Sequence, residues 1–186
     1  MNIGFAMCGS FCTYQQVFPV MELLTRDYSV TPIFSHAAYT VDSRFGSAES
    51  HIQTAEEICG KHPLHTLYEA EPIGPKKLFD ALIIAPCTGN TLAKLAHSIA
   101  DSPVTMAAKS HLRNGRPMLI AISTNDGLAG AAENIGKLLA RKHIYFVPFG
   151  QDDAVNKPTS LIADFNLIPQ ALEYALEGRQ IQPILQ

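Results

Sequence analysis

The segment Pro86-Cys87-Thr88-Gly89-Asn90-Thr91 combines hydroxyls, a glycine and an amide in one short stretch. Thr88 and Thr91 can donate and accept, Asn90 can do both at once, and Gly89 permits close approach to the backbone. The segment follows an apolar run and opens an amphipathic one. It therefore stands where a helix begins, with unpaired N–H groups and a dipole that favours an anion. A helix cap needs one such residue, so several together point to ligand binding, a phosphate being the natural anion. Gly9-Ser10 offers a second candidate of the same kind: a tight turn, a hydroxyl and an N–H after an apolar run. Neither stretch is a dinucleotide fingerprint or a P-loop. Gly4 and Gly9 are wrongly spaced, and no Gly-Lys-Ser/Thr occurs.

Other candidates end further apolar runs. Ser35-His36 offers a hydroxyl and an imidazole. Asn125, in Ser123-Thr124-Asn125, can cap a helix or bond the edge of a heterocycle. Among the cations Arg44, Lys109, Arg113, Arg116 and Lys157, Arg44 lies in a loop beyond a predicted strand and suits a bidentate grip on a carboxylate. Asp152 and Asp153 could serve in acid–base work or simply solvate a loop. Cys87 would gain nucleophilicity if a helix dipole lowered its pKa; its small size is the plainer reason for its place.

The elements that must position these residues alternate. Apolar runs at 2–7, 28–34, 81–85, 117–122 and 144–148 are predicted strands, the third ended by Pro86. Val17, Val20, Met21 and Leu24 mark a helix, with Pro19 early in it. Leu92, Leu95, Ala96 and Ile99 mark another, as do residues 103–113. Ala131, Ile135, Leu138 and Leu139 share one face, and 168–177 is helical, with Ile168, Leu172, Ala175 and Leu176 inward. Residues 37–71 are the least regular, with a helical stretch near 48–60. The pattern predicts one α/β domain over 1–186: a three-layer, doubly wound parallel sheet of flavodoxin-like or Rossmann-like type. Ligands bind beyond the carboxyl ends of such strands. The loops of interest are then 9–13, 35–46, 86–91 and 123–127.

Gross composition narrows the class. A net charge of −3 with no single-sign runs gives no footing for nucleic acid or an anionic membrane surface. No stretch approaches a membrane span, and the N-terminus lacks a basic leader. The four cysteines form no C-x-x-C pair and no metal-ligand spacing, which fits reduced thiols in the cytoplasm and no metal centre.

Gly9-Ser10, the run Ala85 to Ala96 and Ile99-Ala100-Asp101-Ser102 together resemble the flavoprotein superfamily of FMN-dependent cysteine decarboxylases. There a Pro-Ala-Ser-Ala-Asn-Thr segment holds the flavin phosphate; here Cys87, Thr88 and Gly89 replace Ala-Ser-Ala. The resemblance implies that Gly9, Ser10, Ser35, Pro86, Cys87, Thr88, Asn90, Thr91 and Asn125 surround an FMN, or a phosphate alone. The catalytic His of that family has no counterpart in residues 71–80, and Pro and Met are missing before Asn125.

Further segments are more specifically similar to the B subunits of dipicolinate synthases. They include Phe11-Cys12-Thr13-Tyr14, Arg44-Phe45-Gly46, Met106-Ala107-Ala108-Lys109 and Pro148-Phe149-Gly150-Gln151-Asp152-Asp153. This implies oxidation of a dihydrodipicolinate-type precursor during sporulation, alongside the A subunit of dipicolinate synthase, which supplies the NAD(P) site. The wider family also implies a homo-oligomer. Arg44 and Lys109 become candidates for the substrate carboxylates, and no residue is assigned as catalytic. A decarboxylase or prenyltransferase of the same fold, or a non-catalytic partner of the A subunit, are the alternatives.

Overall fold

The structure, a computed structural model, describes all 186 residues. β1 (Asn2–Met7), β3 (Ala81–Cys87) and β4 (Met118–Thr124) are apolar and almost wholly buried. Such strands lie inside a sheet covered on both faces. With β2 (Ser29–Phe34) and β5 (Ile144–Phe146) they form a parallel ladder in the order β2-β1-β3-β4-β5. The helices fall into two groups against this sheet. One joins α1 (Tyr14–Leu24), α3 (Ala48–Cys59) and α8 (Ile168–Leu176); the other joins α5 (Gly89–Ala96), α6 (Pro103–Leu112) and α7 (Ala132–Leu139). This is the three-layer, doubly wound architecture the sequence predicts. Two short helices, α2 (His36–Thr40) and α4 (Leu67–Ala70), lie between them in the chain. One hydrophobic cluster runs from Ile3 to Ile181. No helix is long and apolar enough to cross a membrane.

The strand order places the carboxyl ends of β1 and β3 side by side. The order in which strands are added reverses at this point, outward to β2 on one side and to β4 on the other, and the crossovers leave to opposite faces. A crevice opens there, which is where open α/β sheets bind ligands.

Several expectations are corrected. Pro86 does not end its strand. β3 continues to Cys87 because its register against β4 shifts between Ile84 and Cys87, so no ladder bond needs the missing N–H. The Pro86 carbonyl accepts from the Cys8 N–H at 3.2 Å instead. Pro19 lies mid-helix rather than early, because α1 already begins at Tyr14, ahead of the first stripe residue Val17; its would-be acceptor, Gln15, faces solvent. Ile99 is not on the α5 stripe. The helix stops at Ala96, Ser98 takes a left-handed φ of 59°, and Ile99 is 47% exposed. Leu139 also faces out, since one residue beyond Leu138 is a rotation of about 100° on a helix. The strand expected over 144–148 ends at Phe146. The chain then adds a small antiparallel piece: β6 (Phe149–Gly150) pairs with β7 (Leu161–Ala163), and β7 pairs with the end of β4. The sheet is thus mixed rather than purely parallel.

Candidate functional site

Three strand ends are tied together before any site residue is placed. The Cys8 N–H bonds the Pro86 carbonyl, and the Ser35 N–H bonds the Met7 carbonyl at 2.9 Å. Three helices that start near these ties, α2, α5 and α6, are each capped by a hydroxyl. Ser35 accepts from the Ala38 N–H at 3.2 Å and starts α2. Thr88 accepts from the Thr91 N–H at 3.4 Å and starts α5. Ser102 accepts from the Thr105 N–H at 3.2 Å, with Thr105 returning a bond to the Ser102 N–H, and starts α6. Ser35, Thr88 and Ser102 all line one cavity of about 330 Å³. Three helix N-termini therefore open on the same space, and each brings first-turn amides with no intrahelical acceptor.

Asn90 and Lys94 complete that cavity. The Lys94 ammonium grips both oxygens of Asp101, at 2.9 and 3.0 Å, and holds that carboxyl below its ordinary range. The Thr88 hydroxyl donates to Thr91, and the Thr91 hydroxyl donates to the buried Cys8 Sγ at 3.3 Å. Thr91 thus orients Thr88. Gly89 is needed for a different reason: a Cβ there would lie 2.7 Å from Asp126 Oδ1 and 2.8 Å from Thr124 Oγ1. Its lack of a side chain lets the start of α5 meet the loop after β4.

Gly9 and Thr88 also line a second cavity, of about 260 Å³, on the other side of this junction. Ser10 and Ser123 face each other there, Oγ to Oγ, at 2.7 Å. Asn125 and Ser160 stand along the wall. Lys157 and Asp152 come from the segment between β6 and β7 and pair at 3.2 Å. The Ser160 hydroxyl first, and then Lys157, keep the Asp152 carboxyl below its ordinary range. The two cavities form a groove across the carboxyl edge of β1 and β3.

The structure brings Gly9, Ser10, Ser35, Thr88, Asn90, Thr91 and Asn125 together on this groove. Pro86 and Cys87 are fully buried beneath it and line neither cavity. Burial pushes the Cys87 thiol well above its ordinary pKa, so the helix start does not activate it. Arg44 and Lys109 also lie off the groove, contrary to expectation. The Arg44 guanidinium sits over the Phe45 ring, 4.8 Å from its centre, on a loop closed by Ser43 and Gly46. Lys109 lines a separate cavity beside α6. Lys94, Ser102 and Cys12 are groove residues that sequence reasoning passed over. Ser102-Pro103 does carry a helix-start signal, but its convergence with Thr88 is a tertiary fact.

Hydroxyls, amides and helix starts gather at the β1/β3 crevice of a flavodoxin-like α/β protein and mark it as the candidate site. The chain belongs to the Flavoprotein family, whose model matches residues 1–158. It is 44% identical to the B subunit of dipicolinate synthase from Bacillus subtilis (strain 168) over 99% of this chain and 92% of that protein. The crystal structure of the dipicolinate synthase B subunit from Bacillus halodurans superposes with a TM-score of 0.91 at 44% identity, covering 100% of this chain and 95% of the other. Burkholderia xenovorans DmrB in complex with FMN shares the fold, with a TM-score of 0.68 at 17% identity over 95% of each chain.

Proposed function

We propose that the chain works as the B subunit of a dipicolinate synthase, in the oxidation of a dihydrodipicolinate-type precursor to dipicolinate. The observation that carries this reading is the 44% identity sustained along 99% of the chain. In this reading it acts in the cytoplasm as one domain and as a homo-oligomer, partnered by a nicotinamide-binding A subunit.

The groove residues match the chemistry required. The precursor is a ring with two carboxylates, and oxidation to the aromatic pyridine removes a hydride and a proton. The hydride goes to the NAD(P) held by the partner. Lys157 supplies a cation for one carboxylate, a role for which Arg44 and Lys109 lie outside the groove. Ser10, Ser123 and Asn125 supply donors that orient the ring. Asp152, on the same wall, would accept the proton.

The other cavity fits a phosphate monoester, because its donors are hydroxyls, amides, a lysine and three helix starts. FMN would be held there through its phosphate by Ser35, Thr88, Asn90 and Ser102, and when bound it supplies reversible two-electron chemistry.

Reconstitution tests the reading. The chain is mixed with the A subunit, precursor and nicotinamide cofactor, and dipicolinate is followed by its absorbance. A rate well above that of the lone A subunit is expected, and it should fall about tenfold or more in Lys157→Gln, equivalent to at least about 1.4 kcal/mol of transition-state binding. Full turnover by the A subunit without this chain overturns the proposal. FMN titration tests the phosphate site separately: Asn90→Ala and Ser35→Ala should weaken binding, and unchanged affinity in both rejects the assignment.

A further inference from the structure

A cavity of about 340 Å³ lies away from the carboxyl edge, between the last turn of α5, the connection to α6, and α6 itself. Leu95, Ile99, Ala100, Ala108 and Leu112 give it a mainly apolar wall. The only ionisable groups on it are two cations, Lys109 and Arg141, with no carboxylate among the lining residues. Arg141 is fixed in place: its two terminal nitrogens donate to the carbonyls of Leu95, at 3.1 Å, and Ala96, at 2.7 Å. Those bonds offset the negative end of α5 and hold a cation at the cavity wall. Lys109 makes neither an ion pair nor a side-chain hydrogen bond.

We propose that this cavity is a second ligand site, which takes a small molecule with a flat or aliphatic apolar body and one carboxylate. The size fits, since clefts for small ligands start at about 300 Å³. The lining fits as well: an apolar body covers Leu95, Ile99 and Leu112, and the carboxylate meets Lys109 beside Arg141. A phosphate dianion is a poorer match. Its oxygens need more donors than one free ammonium and a guanidinium whose terminal nitrogens are already engaged. The inference stands apart from the reading of the carboxyl-edge groove, and neither depends on the other.

The probe is benzoate, titrated into the full chain by calorimetry, with benzyl alcohol as its neutral counterpart. Saturable one-site binding of benzoate is expected, with benzyl alcohol about tenfold weaker or more, a difference of about 1.4 kcal/mol. Lys109→Gln should weaken benzoate by a similar factor. Ile99→Glu, a change at a half-exposed residue, places a carboxylate in the cavity and should abolish binding. Urea unfolding midpoints of both variants should match the parent, which shows that the fold is intact. No saturation by about 10 mM benzoate, equal affinity for the alcohol, or indifference to Lys109→Gln overturns the proposal. So does an Ile99→Glu chain of lower sedimentation mass when the parent binds no benzoate, because the face would then be a contact between copies.

Discussion

At the scale of single residues, the four cysteines divide by their surroundings. Cys12 is exposed and lines the groove, whereas Cys8 and Cys87 are buried. Burial raises the Cys8 thiol to about 11, against the bonds from Thr91 and Thr88 that lower it, and raises Cys87 well above its ordinary value. Iodoacetamide at about pH 8 should therefore alkylate Cys12 in the folded chain and leave Cys8 and Cys87 untouched until denaturant is added. Peptide mass spectrometry after timed quenching reads this directly, and early label on Cys87 would contradict its placement. Thr88, Asn90, Gly9 and Ser10 were legible as candidates because hydroxyls, an amide and a glycine cluster at strand ends, and the structure lines the groove with all four. Cys87 and Pro86 were not separable from them by type. What removed them is the continuation of β3 past Pro86, and no residue name records that.

Elements carry their own consequences. The hydroxyl of Thr88 is the N-cap of α5, so Thr88→Ala should cost about 1 kcal/mol of stability in urea unfolding, together with weaker FMN binding. His111, in the last turn of α6, is almost fully buried and bonds the Pro117 carbonyl at 3.0 Å at the entry to β4. Burial lowers its pKa, Arg116 adds to the lowering, and the Pro117 bond and Asp80 oppose it. The unfolded chain then takes up the proton first as pH falls. Stability should be full above the ordinary value of 6.5, decline as pH drops below it, and level off once the folded imidazole also protonates. Urea midpoints at about pH 7.5 and about pH 5.5 test this. His111→Gln keeps a donor for Pro117 and should flatten that part of the profile. Most elements were readable because unbroken apolar runs and period-3.6 stripes differ so plainly. Their ends were not: α5 is closed by the left-handed Ser98 and by Arg141 capping from a distant loop, so Ile99 left a stripe its spacing seemed to continue.

For the whole molecule, the parallel core followed from the alternation of buried strands and amphipathic helices, while the antiparallel extension did not. β6 and β7 are too short to show alternation, and their pairing depends on where β4 ends. That extension brings Lys157 and Asp152 to the groove, so the charged half of the site was the less legible half. The three helix starts around Ser35, Thr88 and Ser102 bear on handling as well as recognition. Helix starts carry like partial charge, and an oxyanion bound between them would offset it. Buffer salt then acts as a folding ligand. Sulfate or phosphate should raise the melting temperature in a dose-dependent way that chloride at equal ionic strength does not, with about 2.7 kcal/mol gained at a hundredfold excess over the dissociation constant. Lys94→Gln should shrink that gain. If the groove is the anion site proposed above, a preparation stripped of every oxyanion is the one expected to unfold first.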